Sequence, residues 1–431
     1  MDILKSVYDI FSERGFIEQV TDEELVKELL ARESVTCYIG FDPTATSLHI
    51  GSLVPIMALS HMQRAGHRPI ALVGGGTALI GDPSGKTEMR QILTRDKINR
   101  NAEAIRNQLS RYIDFADNKA LLLNNADWLA GLNYIEFLRD VGRHFSVNRM
   151  LTAESYRMRM ETGLNFIEFN YMLLQSYDFY YLSKHHGCAI QMGGNDQWGN
   201  IVAGVDLTRR LEGTRVYGVT FPLLTTSQGH KMGKTEKGTL WLDPNLTTPY
   251  EYFQYWINTE DADVERFMAL FTYLPVEEIR EISKLADSEI NMAKAVLAFE
   301  TTKITHGEEE ALAAWKASAG AFNLRPVALN LFPSSTIPRH EIKEDVSAIP
   351  TYEKSMQEVE TIPIAVLFQD VDLCASRGEA RRLITQGGAY VNGRQITSID
   401  DKIGMDDLDE NREIRLRKGK KKYAIIRVRA S

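Results

Sequence analysis

Short apolar runs and amphipathic stretches alternate through the first half of the chain, in the order that builds a parallel sheet. Val35-Thr36-Cys37-Tyr38-Ile39-Gly40-Phe41 is nearly continuous in apolar character, the pattern of a strand buried on both faces, and Asp42-Pro43-Thr44 turns the chain out of it. A helix is predicted from about Gly51 to Ala65, with Gly66 as its stop. Pro69-Ile70-Ala71-Leu72-Val73-Gly74 reads as the next strand, and Ile190-Gln191-Met192-Gly193-Gly194 ends another. Strand, helix and strand at this spacing predict a right-handed βαβ unit, and so an α/β fold with a Rossmann-like parallel sheet. From about Thr248 to Ala321 the pattern turns helical, and Pro326, Pro333, Pro338 and Pro350 then mark a connector poor in regular structure. A small α+β domain follows. The expected organisation is a catalytic domain over 1–228 with a helical insertion near 130–185, a loop linker over 229–247, an α-helical domain over 248–325, a connector over 326–360 and a C-terminal domain over 361–431.

Composition narrows the class. A chain of 431 residues exceeds one ordinary core and suits two or three domains; 44% hydrophobic and 25% charged residues are those of a soluble globular protein. The N-terminal stretch is acidic and amphipathic, without the basic and apolar blocks of a signal peptide, and no apolar run reaches the length of a membrane span. The expectation is a cytoplasmic protein with no membrane partner. Cys37, Cys188 and Cys374 are scattered and give neither a disulfide framework nor a zinc spacing. The net charge of −8 hides an asymmetry: from Arg412 to Arg429 basic residues crowd together, opposed only by Glu413. A basic end on an acidic body predicts local nucleic-acid binding, a solvated charged tail being the plainer alternative.

Two short basic motifs carry the candidate chemistry. His49-Ile50-Gly51-Ser52 falls where a strand's C-terminal loop enters a helix, whose free amides and positive dipole end favour an anion. Gly51 would let a nucleotide lie against the backbone, and Thr44 and His49 can donate to phosphate oxygens as charge builds on them. Far downstream, Lys231-Met232-Gly233-Lys234-Thr235 lies in a glycine-bearing loop, the pattern of a mobile flap that brings Lys231 and Lys234 onto a pyrophosphate. Either motif alone also fits an ordinary helix entry or a solvated basic loop. Together they predict a site that grips a triphosphate from two sides and promotes attack on its α-phosphorus. Two imitations are set aside. Gly81-Asp82-Pro83-Ser84-Gly85-Lys86-Thr87 has one residue too few between its glycines for a P-loop, and Gly74-Gly75-Gly76 fails the dinucleotide fingerprint because position 79 is Leu. Tyr171, Gln175 and Asp178 recur at i, i+4 and i+7, which puts three hydrogen-bonding side chains on one helical face.

The two motifs resemble the HIGH and KMSKS signatures of class I aminoacyl-tRNA synthetases. Longer stretches are similar to the bacterial-type tyrosyl-tRNA synthetases: Tyr38-Ile-Gly-Phe-Asp-Pro-Thr-Ala, Leu79-Ile-Gly-Asp-Pro-Ser-Gly-Lys, Phe169-Asn-Tyr-Met-Leu-Leu-Gln-Ser-Tyr-Asp-Phe and Gly193-Gly-Asn-Asp-Gln-Trp-Gly-Asn. Ser52 stands where the first signature has a second histidine, and Gly233 replaces a serine of the second. The resemblance implies tyrosine–tRNA ligase activity: tyrosyl-adenylate formation from L-tyrosine and ATP, then transfer to the terminal adenosine of tRNA-Tyr. It implies that Tyr38 and Asp178 hold the substrate phenol, that Asp82, Tyr171 and Gln175 hold its ammonium group, and that Gln197 also belongs to the tyrosine site. It places ATP at Asp42, Gly51, Gly194, Asp196, Lys234 and Thr235, with Asp196 on the ribose. Thr44, His49, Lys86, Arg90, Lys231 and Lys234 would stabilise the phosphates and the leaving pyrophosphate. No side chain is needed as nucleophile, and Mg2+ would ride on the phosphates rather than in a protein cage.

Arg377-Gly-Glu-Ala-Arg-Arg-Leu-Ile reads as a short amphipathic helix, and Asn392-Gly393 as a hairpin turn after the strand Ala389-Tyr390-Val391. This end resembles the S4-like RNA-binding fold, with Arg377, Arg381, Arg382, Lys418, Lys420 and Lys421 as the tRNA-binding candidates. The family implies a homodimer through helices around 130 to 170. A tryptophanyl-type synthetase or small-molecule adenylyltransferase, and a non-catalytic RNA-binding scaffold, are the alternatives. The Tyr38/Asp178 pair and the basic end count against the former, and the intact His49, Lys231 and Lys234 against the latter.

Overall fold

The structure is a computed structural model describing residues 5–32, 34–84, 93–229, 232, 234–235, 238–285, 288–322, 327–339, 349–409, 411–419 and 422–429, with backbone alone for 234–235, 288 and 319–322. The chain divides into two compact units. One holds residues up to Lys234 together with Thr239–Thr247 and Glu265–Arg280; the other holds Thr235–Gly238, Thr248–Val264 and Glu281 onward.

The first unit is built on a six-stranded sheet of β1 (Gln19–Val20), β2 (Thr36–Phe41), β3 (Arg68–Val73), β4 (Leu121–Asn124), β5 (Cys188–Gly194) and β6 (Tyr217–Phe221). Their spatial order is β1-β6-β5-β2-β3-β4, parallel throughout except for the edge strand β1, which runs antiparallel to β6. The apolar runs predicted as strands are buried on both faces: five of the six β3 residues are buried, as a sheet covered by helices requires. The predicted helix is present as a 3-10 turn Ile50–Ser52 followed by Leu53–Arg64, and Gly66 takes a left-handed φ of 87° just beyond it.

From β2 the chain moves outward through β3 to β4, then returns to lay β5 on the other side of β2. That reversal makes a switch point between β2 and β5, where loops leave in opposite directions and open a crevice beyond the strands' carboxyl ends. The helical insertion before β5 contains Tyr134–Asp140, Glu154–Thr162 and the long helix Tyr171–His186. Arg159 and Glu168, each 2% exposed, pair at 2.9 Å inside it.

In the second unit Pro249–Ile257, Ser288–His306 and Glu308–Phe322 form a helical bundle around Trp256 and Trp315. Thr248 caps the first of them through a capping box, with Pro at the first helical position. The two-residue strands β7 (Lys234–Thr235) and β8 (Gly238–Thr239) precede it. A five-stranded sheet follows from β9 (Thr351–Lys354), β10 (Ala389–Val391), β11 (Arg394–Ile396), β12 (Glu413–Lys418) and β13 (Lys422–Val428), in the order β11-β10-β12-β13-β9. The Asn392-Gly393 hairpin joins β10 to β11 with φ of 46° and 82°, the pair of positive values a type I′ turn needs. β9 departs from expectation. Thr351–Lys354 lie in the stretch read as connector, yet they pair in parallel with β13 as the sheet's edge. Four residues of alternating exposure carry too little apolar signal to announce a strand. Tyr250, Ala317, Ile349 and Ile425 bury together, so bundle and sheet share apolar packing.

Candidate active site

Most of the described site residues sit just beyond strand ends at the switch point, with Tyr38 inside β2 itself. β2 delivers Asp42, β3 the run Gly74–Asp82, β4 Asn125 and β5 Asp196 and Gln197. The helix Tyr171–His186 closes the crevice with Tyr171, Gln175 and Asp178.

The deepest part is a buried carboxylate. Asp178 is 2% exposed and accepts from Asn125 Nδ2 at 2.9 Å and from Trp128 Nε1 at 2.8 Å. Burial pushes its carboxyl up to about 7; the two donors pull the other way, and the Asp42 charge adds to the rise. Trp128 is held flat by stacking on Tyr181 at 4.3 Å. Tyr38, 1% exposed, has a buried hydroxyl with no hydrogen-bond partner among the described residues. Burial drives that phenol well above its ordinary range, with the Asp178 charge as a second cause. A buried hydroxyl without a partner is costly, about 1–3 kcal/mol, and such groups mark places where a ligand completes the bonding.

A hydrogen-bonded chain runs outward from this point. Asn125 Nδ2 also reaches Thr77 Oγ1 at 3.1 Å, Thr77 donates to Asp42 Oδ1 at 2.8 Å, and the Tyr171 hydroxyl donates to Asp42 Oδ2 at 3.0 Å. The glycine run explains itself here. A Cβ on Gly74 would lie 2.0 Å from Asp42 Oδ1, and one on Gly75 would lie 2.3 Å from Asn124 Oδ1. These glycines let polar side chains fold over the β3 end.

A second cluster forms at the end of β5. Gln197 Nε2 donates to Asp82 Oδ2 at 2.9 Å, and Asn200 Nδ2 donates to Gln175 Oε1 at 3.0 Å and Gln197 Oε1 at 3.2 Å. Asp82, 7% exposed, also accepts from the Ser84 amide at 2.9 Å. Asn195 Oδ1 accepts from Gln19 Nε2 at 2.5 Å and Thr220 Oγ1 at 3.2 Å, which pins the turn carrying Asp196 to the neighbouring strands. A Cβ on Gly194 would meet Asp196 Oδ1 at 2.6 Å and Leu223 at 3.5 Å; Leu223 is 53% exposed and offers a flat apolar face.

His49 and Thr44 are exposed on the loop after β2. His49 Nδ1 accepts the Gly51 amide at 3.0 Å, and a Cβ on Gly51 would lie 2.8 Å from His49 Cε1. Gly51 therefore makes room for the His49 ring as well as for any ligand. The backbone of Leu48 and Ile50 pairs antiparallel with Leu240 and Leu242, bringing Trp241 edge-on to His49 at 6.4 Å. This ties the first signature to the chain just downstream of the second. Lys86, Arg90 and Lys231 lie outside the described residues, as do the side chains of Lys234 and Thr235.

The structure thus brings Tyr38, Asp42, Asp82, Tyr171, Gln175, Asp178, Asp196 and Gln197 to one crevice. Sequence reasoning missed Asn125, Trp128, Thr77 and Asn200. A signal existed for one of them: Asn124-Asn125 directly follow the apolar Leu121–Leu123, and polar residues at the carboxyl end of a parallel strand are site candidates.

Comparison with known proteins settles the family. Residues 30–323 match the model of class I tRNA synthetases of the W and Y type, and residues 341–426 match the C-terminal domain model of SYY-like tyrosine–tRNA ligases. The tyrosine–tRNA ligase of Syntrophus aciditrophicus is 65% identical over 427 residues, 99% of this chain and 100% of that protein. This chain belongs to the tyrosine–tRNA ligase family. The ligase of Desulfatibacillum aliphaticivorans is 59% identical over 421 residues, 97% of each chain. The crystal structure of a C-terminally truncated mitochondrial tyrosyl-tRNA synthetase from Aspergillus nidulans superposes with a TM-score of 0.65 at 31% identity, covering 72% of this chain and 92% of that one. For this member of the family, the S4-like candidates on the C-terminal sheet domain divide. Arg377, Arg381 and Arg382 are exposed on a helix that Ser376 caps, whereas Lys418 pairs with Glu379. Lys420 and Lys421 lie outside the described residues.

Proposed function

We infer that the chain is a tyrosine–tRNA ligase that reads the substrate phenol with Tyr38 and Asp178. The observation that carries this reading is the Tyr38 hydroxyl, buried without a partner, near a carboxylate already held by two fixed donors. A tyrosine hydroxyl entering there donates to Asp178 and accepts from Tyr38, so both protein groups and the ligand are satisfied together. Phenylalanine would bury the Tyr38 hydroxyl still unpaired and offer Asp178 no third donor, and a buried site rejects strongly a ligand that leaves its polar groups unsatisfied. Tyr171, Gln175, Asp82 and Gln197 then face the ammonium group.

With ATP across the switch point, Asp196 takes the ribose and Leu223 over Gly194 offers a shelf to the base. The tyrosine carboxylate oxygen attacks the α-phosphorus; the bond to the bridging oxygen breaks and pyrophosphate leaves. Thr44 and His49 stabilise the charge that builds on the phosphates, joined by Lys86, Arg90, Lys231 and Lys234, with Mg2+ carried by the nucleotide. A ribose hydroxyl of the terminal adenosine of tRNA-Tyr next attacks the tyrosyl carbonyl and releases AMP. The exposed arginines of the helix Arg377–Thr385 support tRNA binding by the second unit. Exposed Tyr134, Ile135, Val147, Met160 and Phe166, each at least 55% accessible, favour a homodimer through the helical insertion. No helix among the described residues is long and apolar enough to cross a membrane. By the family reading, the enzyme works in the cytoplasm.

The test is amino-acid-dependent ATP–pyrophosphate exchange with tyrosine, phenylalanine and tryptophan. Exchange with tyrosine alone, lost in Asp178→Ala, is expected. Comparable exchange with either other amino acid would overturn the assignment of the pocket. No exchange with any of them would favour an RNA-binding scaffold.

A further inference from the structure

The helix Arg95–Leu109 carries two buried amide side chains, Asn101 and Gln108, at 1% and 7% exposure. They are seven residues apart and so share a face with the core positions Ile98, Ile105 and Leu109. Neither amide is spent within its own helix. Asn101 Nδ2 donates to the Pro43 carbonyl at 2.9 Å, and Gln108 Oε1 accepts the Leu48 amide at 2.9 Å and the Ser47 hydroxyl at 3.2 Å. The two contacts hold the loop after β2 at both ends, and the exposed Thr44 and His49 are carried between or directly beside them. The same residues connect further: the Asp243 amide donates to Ser47 Oγ at 3.2 Å, and the Leu242 amide donates to the Leu48 carbonyl at 2.9 Å. Gln108 therefore sets the register of the His49 loop and, through it, of the segment that follows the second signature.

We propose that Gln108 and Asn101 are positioning residues for the phosphate end of the reaction. They touch no substrate, and they act by fixing where Thr44 and His49 stand when charge develops on the phosphates. Among the described residues neither hydrogen-bonds to Tyr38, Asp178, Tyr171 or Gln175, so the effect is confined to the rate step and spares tyrosine binding. A misplacement of about 1 Å in such a group costs on the order of 10²-fold in rate. The proposal rests on the reading of His49 as a phosphate-site residue.

The test compares Gln108→Met, which keeps the chain length and removes the acceptor, with Gln108→Glu, which keeps the acceptor. Tyrosine-dependent ATP–pyrophosphate exchange and equilibrium tyrosine binding are measured on the full chain, with His49→Ala as reference. Gln108→Met is expected to lower kcat about tenfold or more while the tyrosine Kd stays within about twofold, and Gln108→Glu to recover most of the loss. Added to His49→Ala, Gln108→Met should cost less than it does alone, because the part of its effect that runs through the His49 ring is already lost while the part through Thr44 remains. Asn101→Ser, at the other end of the loop, is read in the same way if Gln108→Met does not fold. Undiminished exchange in the folded variant, a parallel loss of tyrosine affinity, or losses that multiply fully with His49→Ala would each overturn the proposal. A fully active His49→Ala would overturn the phosphate-site reading itself and this proposal with it, which separates the two failures.

Discussion

The proposed tyrosine pocket and the proposed RNA-binding face of the C-terminal sheet domain both carry polar groups, but in opposite states of solvation. Asp178 and Tyr38 are 2% and 1% exposed, among fixed donors and aromatic rings. Arg377, Arg381 and Arg382 stand in water on one short helix. In the pocket, desolvation has already happened on folding, so a ligand that fails to restore the bonding leaves buried groups unpaired. Few groups then give sharp discrimination. On the sheet domain each charge adds a screened attraction to phosphates, tolerant of geometry and weakened by salt. On the proposed function, one region refuses and the other attracts. Even in the basic end some charges serve the fold: Arg427 pairs with Glu413 at 2.7 Å, and Lys418 with Glu379.

The sharpest way to break this contrast is Asp178→Ala. It leaves the Trp128 and Asn125 donors and the substrate hydroxyl without an acceptor, and kcat/KM for tyrosine in pyrophosphate exchange should fall on the order of 10³-fold. A loss of only a few-fold would place the pocket in the same class as the sheet domain. Asn125→Ala removes one donor to Asp178 and the link to Thr77. A loss of about 10- to 100-fold in kcat/KM is expected, with the Asp178 carboxyl rising further because a donor that holds it down is gone. Steady-state kinetics across pH reads both effects.

On the other side of the comparison, Arg381→Glu with Arg382→Glu should weaken tRNA aminoacylation by about tenfold or more at low salt. It should also flatten the log–log salt dependence by about one per lost phosphate contact. Pyrophosphate exchange, which needs no tRNA, should be unchanged. The smallest effect is the most discriminating. Tyr38→Phe deletes a buried hydroxyl that has no partner among the described residues, so thermal stability should hold or rise by up to about 1 kcal/mol, while tyrosine affinity falls about tenfold. A destabilised Tyr38→Phe would mean that the hydroxyl serves the fold.

Much of this was legible beforehand, and unevenly so. Continuous apolar runs announced β2, β3 and β5 because a doubly covered strand has no polar face to confuse the period. β1 and β9 escaped, being two and four residues long at sheet edges, where pairing is decided by the partner strand and not by a local pattern. In the site, Tyr38 and Asp178 were reached through the resemblance and the helical spacing. Asn125, Thr77 and Trp128 were not, since their importance lies in what they touch across the crevice. Nothing in the sequence pattern singled out Asn101 and Gln108. Only the tertiary contact shows that their amides face inward.

The central claim is that a buried carboxylate reads the phenol, and its ionisation supplies the most direct test. The Asp178 carboxyl is raised to about 7 in the fold. A folded value above the unfolded one means that the native protein holds more protons between pH 4 and 7. Its contribution to stability is therefore greatest at low pH and is lost as pH rises through about 7. Tyrosine donates to the ionised form, so the opposite slope is expected for binding. The measurement is the tyrosine dissociation constant from pH 5.5 to 8.5 in the wild-type chain and in Asp178→Asn. Binding that tightens with rising pH and levels off just above 7, with the slope absent in Asp178→Asn, is the predicted result. A flat wild-type profile, or one that survives the substitution, would contradict the account.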